Sequence, residues 1–129
     1  KSLDYWKRIL DRDPSNKVIL TRTGDAHRHL EHLDEAEDFY HQALNIEFDE
    51  FAILGLALIS KERGNYPDAI ASLRTLVKKD AKNHRLYTEI AECHLKLGER
   101  DRAVEVLTEF VNLGIRNSYV SDMLRKTKS

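Results

Sequence analysis

The stretch Gly64-Asn65-Tyr66-Pro67-Asp68-Ala69 returns 34 residues later as Gly98-Glu99-Arg100-Asp101-Arg102-Ala103. In both, a glycine ends one helical pattern and an alanine a few residues on opens the next. Ala36 holds the same place 33 residues before Ala69. Twelve residues upstream of each alanine stands a small residue, Gly24, Ala57 or Ala91, where two helices can cross closely. Four residues downstream stands a large one, Tyr40, Leu73 or Leu107. A period of this length, carried through three copies, is that of a helix-turn-helix unit that buries its apolar face against its neighbours.

The segments between these turns are rich in Leu, Ala, Glu, Lys and Arg, with apolar residues at helical spacing. Only two prolines and five glycines serve 129 residues. Further turns fall at Asp13 to Asn16, Glu31 to Asp34, Phe48-Asp49, Asp80 to Asn83 and Gly114 to Asn117. The helices between them run about three to four turns, and successive ones pack as antiparallel hairpins. One segment stands out. Phe51-Ala52-Ile53-Leu54-Gly55-Leu56-Ala57-Leu58-Ile59 is apolar throughout, too short to span a bilayer, and therefore suited to a middle repeat covered from both sides.

At these positions the chain resembles the tetratricopeptide repeat family, whose 34-residue unit carries an aromatic residue, Leu-Gly, Tyr, Ala, Phe, Ala and a closing Pro. Residues 17–49 show Leu20, Gly24, His27, Ala36, Tyr40 and Ala43. Residues 50–83 show Ile53, Leu56, Ala57, Ala69, Leu73 and Leu76, and residues 84–117 show Tyr87, Ile90, Ala91, His94, Ala103, Leu107 and Phe110. Phe48, Ala81 and Ile115 stand where the family prefers proline. The resemblance implies an all-α solenoid of about eight helices, a right-handed superhelix of antiparallel helix-turn-helix repeats. Residues 1–129 are one domain in this reading: a half repeat at 1–16, repeats at 17–49, 50–83 and 84–117, and a C-terminal capping helix at 118–129.

In such a stack the first helices line a concave surface. A helical period places Arg22, Asp25 and His29 on it from the first full repeat, Phe51, Leu54 and Leu58 from the second, and Arg85, Glu89 and Glu92 from the third. Apolar residues between polar walls suit a peptide or helix with a hydrophobic anchor. Gly55 is expected on the same floor, where it removes side-chain bulk. Some family members hold a C-terminal carboxylate of chaperone peptides with Lys, Asn and Arg. The matching positions here are Thr21, Asp25, Gly55, Arg85 and Glu89, of which Arg85 alone fits, so that ligand is disfavoured. The expected role is protein-protein interaction, as a scaffold or adaptor part of a larger protein. The alternative is self-assembly, or stacking on further repeats of the parent chain, through Leu3 and Trp6 at one end and Tyr119, Met123 and Leu124 at the other.

Other function classes are weaker. Twenty-one basic and 22 acidic residues are spread along the chain, so no basic face calls for nucleic acid and no membrane insertion is expected. No phosphate loop, nucleophile motif or zinc-protease motif is present, so no enzyme activity and no cofactor is expected. Four histidines, His27, His29, His32 and His41, cluster in sequence. Helical spacing separates His27 from His29 and leaves His32 in a turn, so no metal site is expected. Cys93, the only cysteine, reads as a small buried residue. The compartment stays open, with the cytoplasm favoured.

Overall fold

The computed structural model describes residues 3–129, and these form eight α-helices with no strand among them. They are α1 Leu3–Arg12, α2 Lys17–His29, α3 Leu33–Ile46, α4 Glu50–Glu62, α5 Tyr66–Lys79, α6 His84–Lys96, α7 Arg100–Val111 and α8 Ser118–Lys128. Side chains that accept hydrogen bonds at the helix starts explain several boundaries. Asn16 accepts from the Ile19 N–H at 3.2 Å, Asp49 from Phe51 at 2.9 Å, Asn83 from Arg85 at 3.1 Å and Asn117 from Val120 at 3.0 Å. Each satisfies one of the orphan donors at a helix N-terminus, a contribution of about 1 kcal/mol.

The turns inside the repeats share one hydrogen bond. The N–H of His32 donates to the His27 carbonyl, Asn65 to Ser60 and Glu99 to His94, each at 2.8 Å. This six-to-one closure requires a left-handed residue just before the donor. Gly64 and Gly98 supply it at φ 79° and 75°, whereas the first turn uses Glu31 at φ 64°.

The chain divides into two compact units, one ending at Ile59 and one running from Ser60 to Ser129. Tyr40 is the centre of the first. It is fully buried with Leu20, Ala36, Ala43, Ala52 and Ile59. Its ring lies where side chains of two glycines would stand: a Cβ at Gly24 would be 2.8 Å from its Cε1, and a Cβ at Gly55 only 2.2 Å from its Cζ. Gly55 therefore belongs to the core and not to a groove floor as expected from the helical wheel. A wheel drawn for α4 alone does not register that the partner of this glycine is a tyrosine on α3. The Tyr40 hydroxyl donates to Asp25 Oδ1 at 2.5 Å and accepts from Arg28 Nε at 3.2 Å. Burial, and then the Asp25 carboxylate, push its pKa well above the ordinary phenol value.

The second unit is built on Ile90, Ala91, Ala103, Val106, Leu107 and Phe110, all at most 2% exposed. Tyr87 meets Phe110 edge-on, with centroids 5.2 Å apart, and its hydroxyl donates to the Ala81 carbonyl at 2.7 Å. Thr88 is buried here and its hydroxyl donates to the Arg85 carbonyl. No described helix is long and apolar enough to cross a membrane.

Candidate functional site

The first unit carries a cleft of about 600 Å³ between the start of α2 and the start of α4. α2 contributes Lys17, Val18, Thr21, Arg22 and Asp25, which recur on one helical face. The loop before α4 and its first turn contribute the rest, Phe48 to Phe51. The base of the cleft is tied by one polar contact. Asp49 is 7% exposed, accepts from the Thr21 hydroxyl at 2.7 Å with one oxygen, and caps α4 with the other. That double role fixes the N-terminus of α4 against α2, so that Phe51, two residues on, is held outward.

Phe51 is 72% exposed, more than any other large apolar residue described. Val18 and Phe48 beside it are 54% and 47% exposed. Three apolar side chains around one concavity form a patch that water solvates poorly. Its rim is charged. Arg22 is exposed, Glu50 is exposed, and Lys17 bonds Glu47 at 2.7 Å. That hydrogen bond raises the Lys17 pKa.

Of the residues picked from the sequence, the cleft thus gathers Arg22, Asp25 and Phe51. Asp25 is also the acceptor for Tyr40, so it serves the core as well as the rim. His29 is exposed at the end of α2, away from the cleft lining. Leu54 and Leu58 are half-buried along α4 and do not line it. Sequence reasoning missed Asp49 and Phe48. The signal was present, since Asp49 directly precedes an apolar helix and has the side chain of a cap.

In the second unit Arg85, Glu89 and Glu92 lie on α6 around Lys61, at the end of α4. Lys61 Nζ is 2.6 Å from Glu89 and 3.1 Å from Glu92, and Arg85 Nε is 3.6 Å from Glu89. The Glu89 side chain is only 13% exposed. Burial alone would lower the Lys61 pKa, but the two carboxylates outweigh it and raise it. These acids are engaged with a cation of the same unit.

The terminal helices keep apolar surface. Leu3 and Trp6 of α1 are half-buried, as are Met123 and Leu124 of α8, while Tyr119 is 57% exposed. α1 has no fully buried residue.

The histidines differ from the expectation. His29 and His41 are exposed and apart from the group, but His27 and His32 meet, with their Nδ1 atoms 3.2 Å apart. Helical spacing alone leaves His32 in the turn, away from His27. The closure of that turn, by the His32 N–H on the His27 carbonyl, brings it back. Glu35 completes a group whose three ligand atoms all lie within 4.8 Å of one another. His27 stacks on Phe39 with centroids 5.3 Å apart and planes at 9°. Burial, and then the neighbouring His32, lower the His27 pKa.

Residues 61–112 match the family model described as tetratricopeptide repeat. No curated protein sequence matches the chain. Among solved structures, the chain is similar to PcrH from Pseudomonas aeruginosa at TM-score 0.76 and 21% identity, over 88% of this chain and 92% of that one. It is similar to PcrH in complex with the chaperone binding region of PopD at TM-score 0.73 and 22% identity, over 84% and 88%. It is also similar to MamA at TM-score 0.74 and 17% identity, over 85% of this chain and 65% of that one. At these identities the likeness is one of fold.

Proposed function

We propose that this chain, which matches the tetratricopeptide repeat model over residues 61–112, is a protein-interaction module that takes an apolar side chain of a partner peptide into the cleft between α2 and α4. Tetratricopeptide repeat proteins are generally non-catalytic scaffolds, and one structural neighbour, PcrH, is seen with the chaperone binding region of a second protein. The observation that carries the reading is the exposure of Phe51, held outward over a concavity by the Asp49 cap. An apolar anchor entering here would cover Phe51, Val18 and Phe48 at once, and Arg22 on the rim would meet a carboxylate of the same peptide. The apolar contact supplies affinity and the charge sets direction and on-rate. Leu54 and Leu58, half-buried further along α4, would extend the apolar contact of a longer ligand within the same unit.

The test is selection from a displayed library of short random peptides on the full chain, followed by titration calorimetry of the best binder. Phe51→Glu is expected to weaken binding at least tenfold with the helical circular dichroism unchanged, because the side chain packs little in the free protein. Binding that survives the substitution at full strength places the ligand elsewhere.

A second reading rests on the exposed Tyr119 and the thinly covered α1. There the terminal helices stack on another copy or on further repeats of a longer chain. Mass that rises with concentration in light scattering, and falls with Tyr119→Glu, would support it.

A further inference from the structure

We propose that His27, His32 and Glu35 form a binding site for a divalent ion of the zinc class, a staple across the turn between α2 and α3. Two imidazoles and a carboxylate are a donor set suited to zinc. The distances fit. At zinc–nitrogen bonds of about 2.0–2.1 Å, two ligands of a tetrahedral centre stand about 3.3 Å apart, and the two Nδ1 atoms are 3.2 Å apart. Glu35 Oε2 is 3.8 Å from His32 Nδ1, within reach of a small side-chain rotation.

The arrangement also leaves the imidazoles a ligand's geometry. Facing Nδ1 atoms can share one proton, one nitrogen donating and the other accepting. A cation between them takes both lone pairs, with both protons on Nε2. The ring of His27 is already oriented by its stack on Phe39. His32 is not needed for the helix it begins, because its side chain makes no capping hydrogen bond to α3. The site lies at the negative end of the α2 dipole, and Asp34 and Glu35 offset the positive end of α3. His32 and Glu35 are exposed, so the open coordination positions would be filled by water.

The equivalent places in the last repeat explain what the staple adds. There His94 meets Glu99 at 2.8 Å, a direct pair across the turn, and Gly98 holds the left-handed position. In the first repeat the pair is two histidines and the left-handed residue is Glu31. A shared cation supplies the cross-turn bond that two neutral imidazoles make only weakly.

The experiment is calorimetric titration of zinc chloride into the full chain, prepared without a histidine tag and stripped with chelator. One saturable site per chain is expected, with a thermal midpoint that rises with zinc and returns with EDTA. His32→Ala and Glu35→Gln should each weaken binding at least tenfold while leaving the circular dichroism of the zinc-free protein unchanged. His29→Ala should leave the affinity as it is. Absence of a saturable site overturns the proposal, as does zinc bound equally well by His32→Ala and Glu35→Gln, which would mean an adventitious ion only. Equal loss with His29→Ala would also overturn it, since the ligands would then be surface histidines in general.

Discussion

The cores of the first and last repeats occupy the same register and solve it differently. The last repeat buries Leu107 and Ala91 at the places where the first has Tyr40 packed on Gly24, with Gly55 opening further space. A larger residue at one position is matched by smaller ones opposite, so that close packing is kept while its residues change. The tyrosine brings a hydroxyl into the core, and that hydroxyl recruits Asp25 and Arg28. The two units differ on the surface in the same spirit. The first leaves Phe51 and Val18 exposed, whereas the second closes Lys61 on Glu89 and Glu92. One repeat pattern therefore supports an exposed apolar face in one unit and a face of internal ion pairs in the other.

Gly55→Ala strikes at the tyrosine solution directly and should have the largest effect. Its new Cβ would stand 2.2 Å from the Tyr40 ring, and the clash should cost about 3 kcal/mol in urea unfolding. Combined with Tyr40→Leu, which imitates the last repeat, most of that added cost should vanish, because the two sites are in contact. Additive effects would show that Tyr40 is not clamped by this glycine.

Lys61→Met probes the ion-paired face of the second unit. It leaves the little-exposed Glu89 with Arg85 as its remaining partner, at 3.6 Å. A loss of about 1.5 kcal/mol is expected, discounted because the lysine is partly solvated. The thermal midpoint should fall at low salt and at high salt alike, since a half-buried network is screened weakly. Disappearance of the effect in high salt would mark it as a surface pair.

The turns give the smallest effects, of opposite sign. Gly98 lies at φ 75° with nothing within 4 Å of where an added methyl group would stand, so Gly98→Ala should cost about 1 kcal/mol from backbone strain alone. Glu31 already bears that strain, and Glu31→Gly should gain about 0.5 kcal/mol, reduced by the freedom glycine adds to the unfolded chain. Loss of stability in Glu31→Gly would mean that the glutamate side chain contributes more than its backbone costs.

Much of the fold was legible because it is periodic. The alanines at 36, 69 and 103 sit at the starts of α3, α5 and α7, and all three are fully buried. Helical spacing also put Tyr40, Leu73 and Leu107 four residues after these alanines, and all three are buried. It failed where a contact depends on how two helices meet. Gly55 looked like a gap in a groove and is the seat of a tyrosine from another helix. His32 looked like a stray turn residue and is returned to His27 by the turn's own hydrogen bond. The cleft was half legible. Phe51, Arg22 and Asp25 follow from the helical wheel, while Asp49, which positions Phe51, belongs to a loop that no period describes.

Peptide capture by the cleft is checked most directly by an amide chemical-shift titration of the isotope-labelled full chain with the selected peptide. The largest changes should fall on Val18, Arg22, Asp49 and Phe51, with the terminal helices unmoved. Changes concentrated on Trp6, Tyr119 and Met123, with the cleft silent, would overturn the cleft as the binding site and assign the contact surface to the ends of the chain.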